Sequence, residues 1–561
     1  ARIAQRCGTG MVELFAMPAP ALAPAEPGQD GDLAFSETNI QEPGVDEADV
    51  VKTDGVYLYV LAGGELHVVR AQPASSLSEV SAVPVPGEPE AMYLYDSLAV
   101  VLSSTQGLEG EELAFAGDRQ TAVTVIDVAD AASPVVLKTI VLDGRLHSSR
   151  RIGSKLRLIV VMRTNAAGRE AAASTLDDWL PKRCIRGPDG VVDFGAMAGY
   201  GDFYRPIVPD GLGITSVVSV DLDDLEAEPK TVAVVGDAAV IYASRQALYL
   251  TDAEYGYDGR SRQMTVVHKF DLSGEAVQYV GSGSVEGRVL NQFSLGEKDG
   301  YLRIATTTGW FGGAGQVGLR NHVYVLGQGQ QELVVVGSIE DIAPGETLYA
   351  ARFVGSRGFL VTFEKVDPLF VLDLSDPENP RLVGQLEVPG YAEYVHPVGQ
   401  DYLIAIGKDA ETVEGVTWFQ GVQLALFDVS NLEAPQLLDR VVLGSRGTES
   451  EALNDHHAFN YFAEQDVLAV PICLAEGGLG GPDYGVATFE GLYVYHVTPQ
   501  EGFQLAGRIS THELAWPYCN QWGSWTRGVF IGSDVFAITP DGVWASPLSG
   551  VGSVVWSMRF E

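Results

Sequence analysis

Basic residues are scarce in this chain: 36 Lys and Arg stand against 74 Asp and Glu in 561 residues, a formal net charge of -38. Such a surface repels phosphate backbones and anionic bilayers, so nucleic acid is excluded as an expected partner. Cysteine is limited to Cys7, Cys184, Cys473 and Cys519, no two of them at C-x-x-C spacing, which excludes a zinc ribbon or a thioredoxin-type motif. No stretch approaches the ~20 apolar residues of a membrane span, so no transmembrane segment is expected. The hydrolase signatures G-x-S-x-G and H-E-x-x-H are missing, as is the EF-hand loop. G-x-G-x-x-G occurs at 313–318, but the strand-forming "HVYVLG" follows where a helix is needed, so no nucleotide is expected. Helical periodicity over any long stretch is absent too.

What is present is apolar and repetitive. Hydrophobic types make up 46% of the residues, ample for a large core. The chain starts at Ala1 and reads as a form whose export signal has been removed. Residues 1–37, which include the Ala/Pro-rich "AMPAPALAPAEPGQDGD", are expected to be an arm or linker.

From residue 38 onward one unit recurs: an apolar strand ending in Asp or a substitute, a short turn often containing Pro, a second apolar strand, then Gly. Clear copies are "VTVIDVADAASPVVLKTIVLDG" (123–144), "LFVLDLSDPENPRLVGQLEVPG" (369–390) and "LALFDVSNLEAPQLLDRVVLG" (424–444). Aligned on the Asp-equivalent position, the copies fall at 70, 127, 221, 271, 326, 373, 428, 496 and 547. A second hairpin lies between copies, so each period holds four short strands. This is the signature of an all-β fold, a β-propeller of four-stranded antiparallel blades in one domain spanning 38–561. The last copy reads as partial, which gives eight blades with the termini completing the ring; seven or nine also fit the spacing. Insertions at 164–213, with a short helix expected at 174–182, and at 473–491 break the period.

The stretches "TNIQEPGVDEADVVKTDGVYLYVL" (38–61), "GRVLNQFSLGEKDGYLRIATTTGW" (287–310), 345–391 and "SEALNDHHAFNYF" (450–462) resemble a family of secreted bacterial and archaeal β-propeller proteins. That family is described as a C-terminal β-propeller domain distantly related to WD40 repeats, and 369–444 resembles the LVIVD repeat of prokaryotic surface proteins. The resemblance implies the fold and a secreted or surface location. It implies no activity.

Candidate ligands follow from residue type. Asp46, Glu47 and Asp49 precede the innermost strand of the first blade, and Asp221, Asp223 and Asp224 form a second acidic cluster. Calcium is the cation such oxygen ligands would hold; the simpler reading takes them as solvated turn carboxylates. Asp54, before Gly55, reads as a turn residue. His456 and His457 are adjacent, and on a strand they would point to opposite faces. One of them, with Asp455 or with His396 from the preceding blade, is therefore the candidate axial metal site. A quinone is not expected, because the tryptophans crowd toward the C-terminus instead of recurring once per blade. Four cysteines allow three pairings. Placement of both in the last two blades favours Cys473–Cys519, leaving Cys7 with Cys184. The aromatic tail "WPYCNQWGSWTRG" (516–528) suits closure packing, or a face for a protein or glycan. The functional expectation is a secreted or cell-surface scaffold that binds another extracellular or envelope protein. The alternative is an enzyme, a hydrolase, lyase or metal-dependent oxidase, at the axial mouth.

Overall fold

The computed structural model describes residues 33–107, 115–117, 119–163, 179–190, 192–205, 213–254, 263–312, 315–363, 367–512, 517–519 and 525–560. Their strands form nine sheets, in each of which four antiparallel strands follow chain order from an innermost to an outer strand. These are nine blades of a propeller, and the eight-blade expectation is corrected. The ninth copy is complete: Arg527–Ile531, Asp534–Thr539, Gly542–Pro547 and Trp556–Arg559 supply all four strands. It looked partial because its outer strand carries no Asp-turn-Pro mark. Seven of the nine aligned positions end the third strand of a blade, and Leu326 and His496 lie two residues before its end.

Strand alternation explains why the ring forms. In Tyr57–Ala62, Leu58 and Val60 pack with Val529, Ile531 and Phe536 of blade 9, whereas Tyr59 and Leu61 pack with Met92, Ala99 and Val101 of blade 2. Both faces of the sheet are apolar, so both need a neighbouring sheet. The same two-sided burial gives one hydrophobic cluster at each of the nine blade interfaces, including the one between blades 9 and 1 that shuts the ring. Each fully buried Leu or Val contributes about 1.5–3 kcal/mol.

The outer strand carries a second device. In seven blades a β-bulge shifts its register against the third strand near that strand's end, which tightens the twist there. In four of these blades a glycine at the bulge, Gly281, Gly337, Gly384 or Gly507, lets the next blade come close. A Cβ on Gly384 would lie 2.0 Å from the Leu432 carbonyl oxygen, and one on Gly337 2.4 Å from that of Pro377.

The long insertion adds strands at the rim. Lys182–Arg186 and Val192–Ala196 extend blade 2 to six strands, and Phe203–Tyr204 runs parallel to Lys230–Val235 as the fifth strand of blade 3. Of the helix expected at 174–182, residues 174–178 lie outside the described residues and Lys182 begins a strand. The region 473–491 is largely blade: its two ends belong to Val467–Glu476 and Val486–Thr498, joined by a loop at 477–485. Among the described residues no helix is long and apolar enough to cross a membrane.

Candidate functional site: an acidic plug on the axis

Nine inner strands enclose an axial channel wider than their side chains fill. The segment 34–50 occupies it. Ser36 N donates to Phe530 O of blade 9 at 2.9 Å, and Gly532 N to Ala34 O at 2.7 Å. Asn39 Nδ2 donates to Tyr394 Oη of blade 7 and to His456 O at the start of blade 8. Gln41 Nε2 donates to Gln292 O and Leu295 O of blade 5, while Arg352 of blade 6 donates to Gln41 O. Tyr242 of blade 4 donates to Glu42 at 2.8 Å. Asp46 pairs through its backbone with Arg151 of blade 3, and Asp49 with Met92 of blade 2. The chain thus visits the blades in reverse order before becoming the inner strand of blade 1, Val51–Thr53. Asp54 caps the turn that follows, accepting from Val56 N at 2.9 Å and Tyr57 N at 2.7 Å, with Gly55 at φ +86°.

Asp46, Glu47 and Asp49 each meet a basic side chain. Asp46 binds Lys52 Nζ at 2.9 Å and Arg151 at 2.8 Å. Asp49 accepts from Arg527 Nε at 2.9 and 3.0 Å, and Arg527 also donates to Glu451 at 2.7 Å and Asp455 at 2.5 Å. Glu47, 3% exposed, takes Gln41 N on one oxygen at 3.0 Å. Its other oxygen faces Gln292 Nε2 at 3.2 Å, His456 Nε2 at 3.1 Å and His457 Nε2 at 3.4 Å. Burial pushes the Glu47 carboxyl up, but the Arg150 charge and the two histidines outweigh it and hold it well below the usual range.

The two histidines do not point apart, which corrects the strand-based expectation. His456–Ala458 is a single 3-10 turn capped by Asp455, whose carboxylate accepts from His457 N. In a turn the two-residue parity of a strand is lost, and both rings converge on Glu47 with centroids 4.0 Å apart. The dipeptide Asn454-Asp455 was the available signal, since both residues favour turns and caps. His457 Nδ1 lies 2.8 Å from Asp455 Oδ1. Burial opposes the charged ring, yet the hydrogen-bonded Asp455 carboxylate and the nearby Glu47 carboxylate raise the His457 pKa to about 9. For His456, burial and the neighbouring His457 act the other way and lower it.

His396 does not join them. Tyr394 lies between it and His456, donating or accepting at 3.2 Å from His396 Nδ1, and Phe459 and Tyr461 cover the ring. Burial and the Arg352 charge depress its pKa to about 3. The second acidic cluster also disperses: Asp221 pairs with Lys155, Asp223 accepts from Tyr95 Oη at 2.8 Å, and Asp224 accepts from Ala227 N in its own turn. Neither acidic set converges as the six to eight oxygens of a calcium site. A cavity of about 370 Å³ opens beside the plug, lined by Asp46, Asp49, Lys52, Arg151, His457 and Arg527 among others.

On the rim, Cys473 and Cys519 form the expected disulfide. Cys184 is buried against Ala122 and Val141, and Cys7 lies outside the described residues, as do 520–524 of the aromatic tail. The disulfide anchors a platform made by two long hairpins, Tyr402–Val413 with Val416–Asp428 and Val467–Glu476 with Val486–Thr498. The Arg446 guanidinium lies 5.0 Å from the Trp418 ring and 4.4 Å from the Tyr484 ring, and donates to Tyr484 Oη at 3.0 Å. Gln420 donates to Gly481 O at 3.0 Å, and Glu411 accepts from Gly481 N at 2.8 Å. At the loop tip, Leu479 is 91% exposed, beside exposed Tyr484, Val486 and Val416.

The family described as "Beta propeller domain" matches residues 35–551. An uncharacterised protein of Archaeoglobus fulgidus is 29% identical over 530 residues, covering 78% of this chain and 75% of that one. An uncharacterised protein of Methanocaldococcus jannaschii is 24% identical over 518 residues, covering 78% and 74%. Among solved structures, Kluyveromyces lactis Hsv2 matches 72% of this chain and 99% of its own at 11% identity and TM-score 0.33. A hypothetical selenium-binding protein from Sulfolobus tokodaii matches 73% and 91% at 11% identity and TM-score 0.30. At those scores neither structure bears on function.

Proposed function

The chain belongs to the beta propeller domain family, and from that premise we propose that it is a binding scaffold of the cell exterior that engages a partner protein through the blade 7–8 platform. One observation carries the reading: Leu479 stands almost fully in solvent at the tip of a loop that is held rigid. The loop is pinned by a disulfide, an arginine sandwiched between two rings, and hydrogen bonds to the neighbouring hairpin. An apolar tip with Tyr and Trp beside Arg has the composition of an interaction hot spot. A preorganised loop also loses little entropy on binding. Exposed Glu411, Glu414, Glu476 and Asp483 surround the tip, so the partner fits best as an apolar socket with a basic rim. The disulfide supports an oxidising compartment.

The test is capture from the envelope fraction of the source organism with immobilised protein, comparing the wild type with Leu479→Ser/Tyr484→Ala. One polypeptide should be retained by the wild type and lost by the variant at unchanged melting temperature. Equal retention by both proteins overturns the reading, and release by soluble sugars would reassign the platform to a glycan.

A further inference from the structure

We propose that Glu47, His456 and His457 bind one late first-row divalent cation, with zinc as its representative, and that the bound ion latches the axial plug to blade 8. This goes beyond the scaffold reading and rests on different residues.

The ligand atoms are already gathered. Glu47 Oε2, His456 Nε2 and His457 Nε2 lie within 4.8 Å of one another. Bond lengths of about 2.0–2.2 Å to nitrogen and oxygen place tetrahedral ligand atoms roughly 3.3–3.5 Å apart. The observed Glu47–His456 and Glu47–His457 separations, 3.1 and 3.4 Å, need only a few tenths of an ångström of adjustment. Two imidazole nitrogens with one carboxylate suit zinc and its neighbours, not calcium or magnesium.

The surrounding groups orient each ligand. Asp455 Oδ1 at 2.8 Å from His457 Nδ1 is the carboxylate–histidine arrangement that fixes a ring and leaves Nε2 to face a metal. His457 Nε2 is buried and has no partner of hydrogen-bond geometry among the described residues. The His456 ring is set edge-on against Phe293 at 4.9 Å. Gln41 N occupies the other oxygen of Glu47, leaving Oε2 for the ion once Gln292 Nε2 is displaced from it. His457 also lines the axial cavity, which places the three ligands beside it.

Charge opposes and supports the ion. Arg150 approaches Glu47 at 3.9 Å and weakens binding. Arg527 is committed to Asp49, Glu451 and Asp455, so it adds little net repulsion. The ion would join segments 409 residues apart in sequence, a closure that the ring interfaces have already made.

Chelator-treated protein is titrated with zinc by equilibrium dialysis and elemental analysis, and separately with cobalt, followed by its visible spectrum. One ion per chain with Kd below about 10 µM is expected. His456→Asn and His457→Asn should each weaken binding about 100-fold or more, and Asp455→Asn about 10- to 100-fold. His512→Asn, on the rim, should change nothing. X-ray absorption of the zinc-loaded wild type should show two imidazoles, a readout that needs no variant to fold. Substoichiometric zinc, an affinity unchanged from the wild type in either histidine variant, or a spectrum without imidazole ligands would overturn the assignment.

Discussion

Arg527 is the residue on which plug, blade 8 and blade 9 converge, and Arg527→Gln offers a quantitative test of the axial architecture. The guanidinium is 4% exposed and serves three carboxylates: Asp49 from the plug, and Glu451 and Asp455 from the turns before blade 8. Removing it leaves those charges buried without their cation, and breaking such a pair costs about 3–5 kcal/mol. For 561 residues unfolding as one unit, an unfolding entropy of about 2.1 cal/mol/K per residue turns this into a fall in melting temperature of about 3–4 °C. The sign with pH follows. Unpaired buried carboxylates in the variant have folded pKa values raised above their unfolded ones, so the deficit is full at high pH and shrinks as acid protonates them. Calorimetry of wild type and variant at pH 8 and pH 5 should therefore show the larger gap at pH 8. Asp49→Asn in the Arg527→Gln background should cost less than Asp49→Asn alone, because its partner is already gone. A gap independent of pH together with additive single and double variants would refute the latch.

Gly384→Ala should lose about 1–3 kcal/mol because its Cβ meets the Leu432 carbonyl at 2.0 Å, whereas Gly195→Ala, with open space around it, should be neutral by denaturant titration. His268 is buried and its folded pKa is lowered by desolvation to about 4. Its contribution is thus fully present above about pH 6.5 and lost as pH falls toward 4, about 3 kcal/mol across that window, and His268→Gln should flatten the acid limb of the stability profile. Cys473–Cys519 spans 46 residues, so Cys519→Ser should lower stability by up to about 4 kcal/mol in the chain-entropy account; melting in the presence and absence of reductant measures it.

The repeat was legible because blade formation is written locally. Each copy carries its own alternation and turn, and the third strand ends at or within two residues of the aligned position, from Arg70 to Pro547. Blade number was misread by one because closure is not local. A strand supplied by the N-terminus and a complete ninth copy leave similar patterns, and only the packing of Val529 and Ile531 on Leu58 and Val60 distinguishes them.

The axial site divides in the same way. The carboxylates of "GVDEAD" read most simply as solvated turn residues, and only their place before the inner strand pointed to the axis, where Glu47 and Asp49 are buried. Nothing there pointed to their partners. Arg150, Arg151, Arg352 and Arg527 come from blades 3, 6 and 9, and a charge in a strand reads the same whether it faces solvent or a plug. That both His456 and His457 would face Glu47 was missed because strand parity, which allows only one of them inward, was applied to a turn. The sequence by itself determined the repeating four-stranded unit, its two-sided apolar faces and the residue types near the axis, since these depend on neighbours within about fifty residues. The ring, its plug and the meeting of Glu47 with His456 and His457 were decided by tertiary structure, because those pairings join residues hundreds of positions apart and exist only once the ring is closed.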